Sequence, residues 1–250
     1  METESQSETA ATSQATETEA ETVKREGVLA HINGTVTNPG KPSMRAEADY
    51  GVDFGVGIIA PEAYLVAVIS NEGYETGDLV TAKFELRDSD DEVLSSGRES
   101  KRFWSSDDLV FPMRMKLPED IEAASATVEI IIEADDFDPP AESAQADLEV
   151  SSPVLSTISE KPVLAFNVQN TSELAVTKAR LDVVCYDEEG QIVGGGEAIP
   201  PIISARASLG MHSVLVTSGN PEDCQVFPTV LQSQEPSETT GTDEEDATTK

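Results

Sequence analysis

Val80-Thr81-Ala82-Lys83-Phe84-Glu85-Leu86-Arg87-Asp88 alternates apolar and polar side chains without a break from Val80 to Arg87. A period of two puts every apolar residue on one face of an extended chain, the signature of a half-buried β-strand and not of a helix. Further along, Ala126-Thr127-Val128-Glu129-Ile130-Ile131-Ile132 is a more continuous apolar run, as a core strand gives. No segment carries a helical apolar stripe with caps, and Pro and Gly fall between the runs. The chain is expected to be all-β.

The same stretch occurs twice. Residues 64–97 align without a gap onto 163–196, at an offset of 99. Asn71 falls on Asn170, Val80 on Ala179, Ala82 on Leu181, Phe84 on Val183 and Leu86 on Cys185. Asp88 falls on Asp187, Val93 on Ile192 and Gly97 on Gly196. Each copy then enters an acidic loop, Asp88-Ser89-Asp90-Asp91-Glu92 or Asp187-Glu188-Glu189-Gly190-Gln191. Self-similarity at this period predicts two small β-sandwich modules, each built around one hairpin. The expected boundaries are 27–135 and 145–231, with a linker over 136–144 that Pro139 and Pro140 hold extended. Within 27–50, Val28 to Thr37 reads as an extra strand, either joining the first module or donated to a neighbouring molecule.

Both ends are acidic and polar. Residues 1–26 carry seven acids against Lys24 and Arg25, and residues 232–250 carry six against Lys250. Such segments cannot bury enough apolar surface to offset chain entropy, so both are expected to be disordered tails. The whole chain carries a net charge of −32, and removing both tails leaves −22 on residues 27–231. Self-repulsion on that scale opposes a compact state in dilute buffer but is screened at ~1 M salt, where the Debye length is ~3 Å. The composition, 16 basic residues against 48 acids, resembles that of halophile proteins. Nucleic acid is excluded as a partner on this reading, because phosphate binding needs basic patches. No run approaches the ~20 apolar residues of a membrane helix. No positive segment followed by an apolar core opens the sequence, so no signal peptide is visible and a cytoplasmic location stays open beside export.

The residues Phe84-Glu85-Leu86-Arg87-Asp88 resemble the FxLYD motif apart from its Tyr, and Val183-Val184-Cys185-Tyr186-Asp187 keeps the Tyr and Asp. Asn170, then a strand, then Asp187-Glu188-Glu189-Gly190-Gln191-Ile192-Val193 is also similar to FxLYD-type domains; Asp91 stands in the first copy where Gly190 falls. The resemblance covers about residues 62–135 and 160–229. The family's Pro-Gly turn is absent from Ile203-Ser204-Ala205-Arg206-Ala207-Ser208. The resemblance implies two tandem immunoglobulin-like β-sandwiches of the kind found in prokaryotic envelope proteins, generally without assigned activity.

His31 and His212 belong to no Ser/His/Asp or Cys/His signature, and no phosphate-cradling loop or zinc helix occurs. Gly194-Gly195-Gly196 reads as a hairpin tip or bulge. The expectation is a non-enzyme without a cofactor. Calcium is the candidate ion, at Asp88, Asp90, Asp91 and Glu92 or at Glu133, Asp135, Asp136 and Asp138; the bland alternative is a solvated acidic turn and linker. Asn33 and Asn170 open N-x-Ser/Thr sequons, candidates for glycosylation and also ordinary turn residues. Cys185 aligns with inward-facing Leu86, and Cys224 and Val226 share a face of a final strand. The two cysteines are either bonded or packed as small apolar groups. The expected function is a cell-surface or secreted protein with spacer or binding modules, contacting a protein or surface glycan. The alternatives are a self-assembling structural subunit and a cytoplasmic interaction protein of a salt-in halophile.

Overall fold

The computed structural model describes residues 27–35 (backbone only), 51–70, 77–102, 108–118, 121–133 and 147–234. Every regular element among them is a strand. In the first half these are β1 (Gly27–Thr35), β2 (Val52–Ile59), β3 (Glu62–Ile69), β4 (Leu79–Arg87), β5 (Val93–Arg102), β6 (Leu109–Lys116) and β7 (Ser125–Glu133). The second half has β8 (Leu148–Ile158), β9 (Lys161–Asn170), β10 (Ala175–Tyr186), β11 (Ile192–Ala198), β12 (Ser208–Val214), β13 (Val216–Thr217) and β14 (Asp223–Gln234). The stretch that alternates in sequence is β4, and its even-numbered residues Val80, Ala82, Phe84 and Leu86 are all fully buried.

The strands form four antiparallel sheets, ordered β1-β7-β4-β5 and β2-β3-β6 in the first half, β13-β11-β10-β14 and β12-β9-β8 in the second. In each half, apolar residues from its two sheets share one core. Phe54, Leu65 and Phe111 meet Phe84, Val128 and Ile130 in the first; Leu164, Phe166 and Val168 meet Leu181, Val183 and Cys185 in the second. A third core lies between the halves, where Tyr64, Val66, Val68 and Val110 meet Val184, Ile192 and Val216. The four sheets therefore stack in four layers, with β2-β3-β6 and β13-β11-β10-β14 inside. That explains why β3 is buried along nearly its whole length on both faces, and why Ala63 to Ile69 shows no alternation.

One boundary differs from expectation. β14 continues through Gln234, because Ala175, Val176 and Lys178 of β10 supply partners to residues 232–234. β1 lies antiparallel to β7 in its own chain, so the extra strand joins the first half. The expected tail over 1–26, residues 235–250 of the tail expected over 232–250, the linker 136–144 and residues 36–50 lie outside the described residues. No helix among the described residues is long and apolar enough to cross a membrane.

Candidate functional site

The acidic hairpin loops are built by their first carboxylate. Asp88 Oδ1 accepts the backbone N–H groups of Asp90 and Glu92, at 2.9 Å each. Asp187 Oδ1 accepts those of Glu189 and Gln191, at 3.0 and 2.9 Å. The residue four places into each loop takes a left-handed backbone, Asp91 at φ 66° and Gly190 at φ 75°. One extra residue on the returning strand then makes a bulge, Leu94 in one hairpin and Val193 in the other. This geometry accounts for Asp at the loop's first position: its oxygen pairs backbone donors that the turn would otherwise leave unmet. The same loop holds the first calcium candidates, Asp88, Asp90, Asp91 and Glu92. Asp88 faces its own backbone, and no group of three or more His, Cys, Asp or Glu among the described residues is gathered as a metal would require. Of the second cluster only Glu133 is described, at the end of β7; Asp135, Asp136 and Asp138 lie outside the described residues.

Asn170 is fully buried, not a surface sequon. Its Nδ2 donates toward the carbonyls of Leu174, Ile203 and Ser204, and its Oδ1 accepts from the backbone N–H and the hydroxyl of Ser172. With the amide fully engaged and no exposed surface, the glycosylation expectation for Asn170 is withdrawn for the folded chain. Asn170 instead ties the end of β9 to the loop that enters β12. There Arg206 adopts φ 60°, and its guanidinium is held by Glu173 and the Thr171 carbonyl. Asn33 lies within β1 opposite Thr127, so Asn33-Gly34 is strand and not turn. Of the histidines, His31 pairs in register with Glu129 in β1, and His212 lies exposed in β12 opposite Ala165.

Cys185 of β10 and Cys224 of β14 are directly opposed and joined by a disulfide, with Cα atoms 4.1 Å apart. Both are buried in the second core, at 0% and 3% exposure. The bond closes a loop across a sequence separation of 39, worth about 4 kcal/mol in the chain-entropy model.

The seam between the halves brings together close backbone contacts and a cluster of buried charged groups. Gly55 and Gly57 of β2 face the second half so closely that a Cβ on either would run into the Ile192 or Val216 carbonyl. Gly194, within the bulged strand β11 and not at a hairpin tip, presses on Gly57 in turn. Removing side chains here lets backbones approach more closely than the ~10 Å usual for stacked sheets. Tyr64 Oη donates to the Gly196 carbonyl at 2.6 Å, and burial with nearby Asp182 and Glu197 pushes its phenol well above the ordinary value. Beside it, Glu99 and Lys101 from β5 meet Arg180 and Asp182 from β10. Lys101 Nζ is 3.3 Å from Asp182 and 3.8 Å from Glu99; Arg180 is 2.9 Å from Asp182 and also pairs with Glu99. The Asp182 side chain has no exposed surface. Burial pushes its carboxyl up and pushes the Lys101 ammonium down, each against the pull of the opposite charge.

Sequence reasoning did not single out these seam residues, although two traces of them were present. Glycines at alternate positions of Val52-Asp53-Phe54-Gly55-Val56-Gly57 mark one bare face of a strand, and Asp182 interrupts an otherwise apolar run. No family model matches the chain, and no curated protein matches it. Among solved structures, a β-glucuronidase from glycoside hydrolase family 2 is similar at 8% identity and a TM-score of 0.25, over 81% of this chain and 30% of that one. The chain thus spans less than a third of that structure's length, and a likeness this low bears on neither fold nor activity.

Proposed function

We propose that the chain is a non-catalytic cell-surface or secreted protein, adapted to high salt, whose two tandem immunoglobulin-like sandwiches serve as a spacer or binding unit. The observation that carries this reading is the buried Cys185–Cys224 disulfide, since such bonds persist in oxidising compartments and are rare where glutathione keeps thiols reduced. The paired hairpins, alike in turn, bulge and Asp, support reading the halves as copies of one FxLYD-type module. The apolar seam makes the pair a stiff block, which suits a spacer better than a flexible tether. Self-assembly by donated strands fits less well. β1 occupies its own sheet, and the edge strands β6, β8 and β14 carry Pro112, Pro153 and Pro228, which cannot donate to a ladder. The test is alkylation in denaturant, without reductant, of protein isolated from its native cells. No labelled thiol before reduction and two after is the expected result; two labelled thiols before reduction would refute export.

A further inference from the structure

The outer face of the β12-β9-β8 sheet carries little of the charge that covers the rest of the chain: Glu149 of β8 and Lys161 of β9 stand exposed at its opposite ends. From Val150 to Ile158, Pro162 to Asn170 and Ser208 to Val214 there is no Asp, Glu, Lys or Arg, in a chain where 26% of residues are charged. Instead the face exposes Val154 at 59%, Ile158 at 59% and Val214 at 42%. It surrounds an open hollow of ≈ 580 Å³ whose lining includes Ala165, Asn167, Gly210 and His212. The opposite end of the four-layer stack is built differently. The β1-β7-β4-β5 sheet sets Lys83 against Glu129 and, in register, beside exposed Arg98. Uncharged apolar surface is unfavourable to leave in water, and on an acidic chain it is conspicuous as a place where carboxylates are withheld.

We propose that this face is where two copies of the chain associate, sheet on sheet, about a two-fold axis. The charge distribution selects the occupant. A net charge of −32 makes two copies repel wherever acidic surfaces meet, and the three strands of this face bring only one carboxylate, Glu149, to a contact with a second copy. A basic partner finds only Glu149 on these three strands to pair with. A two-fold contact needs one self-complementary patch, which a sheet face with a single acid and a single base at its opposite ends supplies. The chain already stacks one sheet face on another across its internal seam. Three strands about 4.8 Å apart and some eight residues long give a face of about 400 Å², below the ~800 Å² per partner of standard stable interfaces. The association is therefore weak and strengthens with salt as repulsion between the copies is screened.

Sedimentation of the full chain over about 10–500 µM, at ~0.2 and ~3 M potassium chloride, tests this. The expected mass climbs from one chain toward two with concentration, and climbs further at high salt. Val154→Glu with Val214→Glu places acids on the face at exposed positions and is expected to hold the mass at one chain throughout. Thr127→Glu, on a strand of the opposite end sheet, is expected to leave association intact. Ala165→Gln, which crowds the hollow without adding charge, takes the place of the double variant if circular dichroism finds that variant unfolded. A wild-type mass of one chain under every condition overturns the proposal, as does association undiminished in the face variants. Thiol labelling and dimer mass fail separately, so the compartment and the contact are judged independently.

Discussion

Lys101 and Asp182 meet across the seam at 3.3 Å, with the carboxylate wholly buried and the ammonium nearly so. Burial is the largest influence on both, raising one and lowering the other, so the ion pair offsets desolvation only in part. Lys101→Met leaves Asp182 with Arg180 as its remaining cation and is expected to cost about 3–5 kcal/mol in urea unfolding. Lys101→Met with Asp182→Leu is expected to recover most of that loss, since a buried pair replaced by apolar groups is often neutral. A carboxyl raised in the folded state lends stability that is complete below its ordinary value of 3.8 and lost as pH climbs through the raised value. Losing its lysine raises Asp182 further, so the single variant is expected to lose less at about pH 4 than at about pH 7. At this scale the sequence was partly misleading. Asn170 carries a legible sequon, but residue type alone does not disclose that its amide lies within hydrogen-bonding reach of five partners in a core.

β4 and β10 are the elements that the alternation identifies most directly. Phe84 and Val183, aligned by the offset, are both fully buried, each in the core of its own half. Phe84→Ala is expected to destabilise by about 3–5 kcal/mol through the cavity it leaves. Because the seam couples the halves, the loss should appear as a lower midpoint of one shared thermal transition, with near- and far-ultraviolet dichroism moving together. Gly57→Val drives a side chain into the Val216 carbonyl and is expected to split that transition in two, each half then melting alone. A single unshifted transition in Gly57→Val would mean that the seam contributes nothing to cooperativity. The hairpins were legible because alternation and turn chemistry are local. The seam was not, because a strand buried on both faces reads only as an apolar run, whatever packs on its second side.

For the whole molecule, electrostatics sets the working conditions. A net charge of −22 on residues 27–231 repels itself in dilute buffer, and among the described residues the ion pairs of the seam join only Glu99, Lys101, Arg180 and Asp182. Raising potassium chloride from ~0.1 to ~2 M is expected to lift the unfolding midpoint as the Debye length contracts. A flat or falling midpoint would count against salt adaptation. The same screening acts between copies, so stability and association are expected to rise together with salt.

The sequence by itself determined that the chain is all-β, where its central hairpins turn, and that its surface is acidic. Each of these follows from local alternation, turn residues or composition. Only the tertiary structure decided that Asn170 is interior, that Cys185 and Cys224 are directly opposed, and that the two halves share a third core. These depend on register and on which sheet face meets which, and side-chain periodicity specifies that a face is apolar without naming its partner. Glycine at positions 55 and 57 acquires its meaning only when the Ile192 and Val216 carbonyls arrive against it.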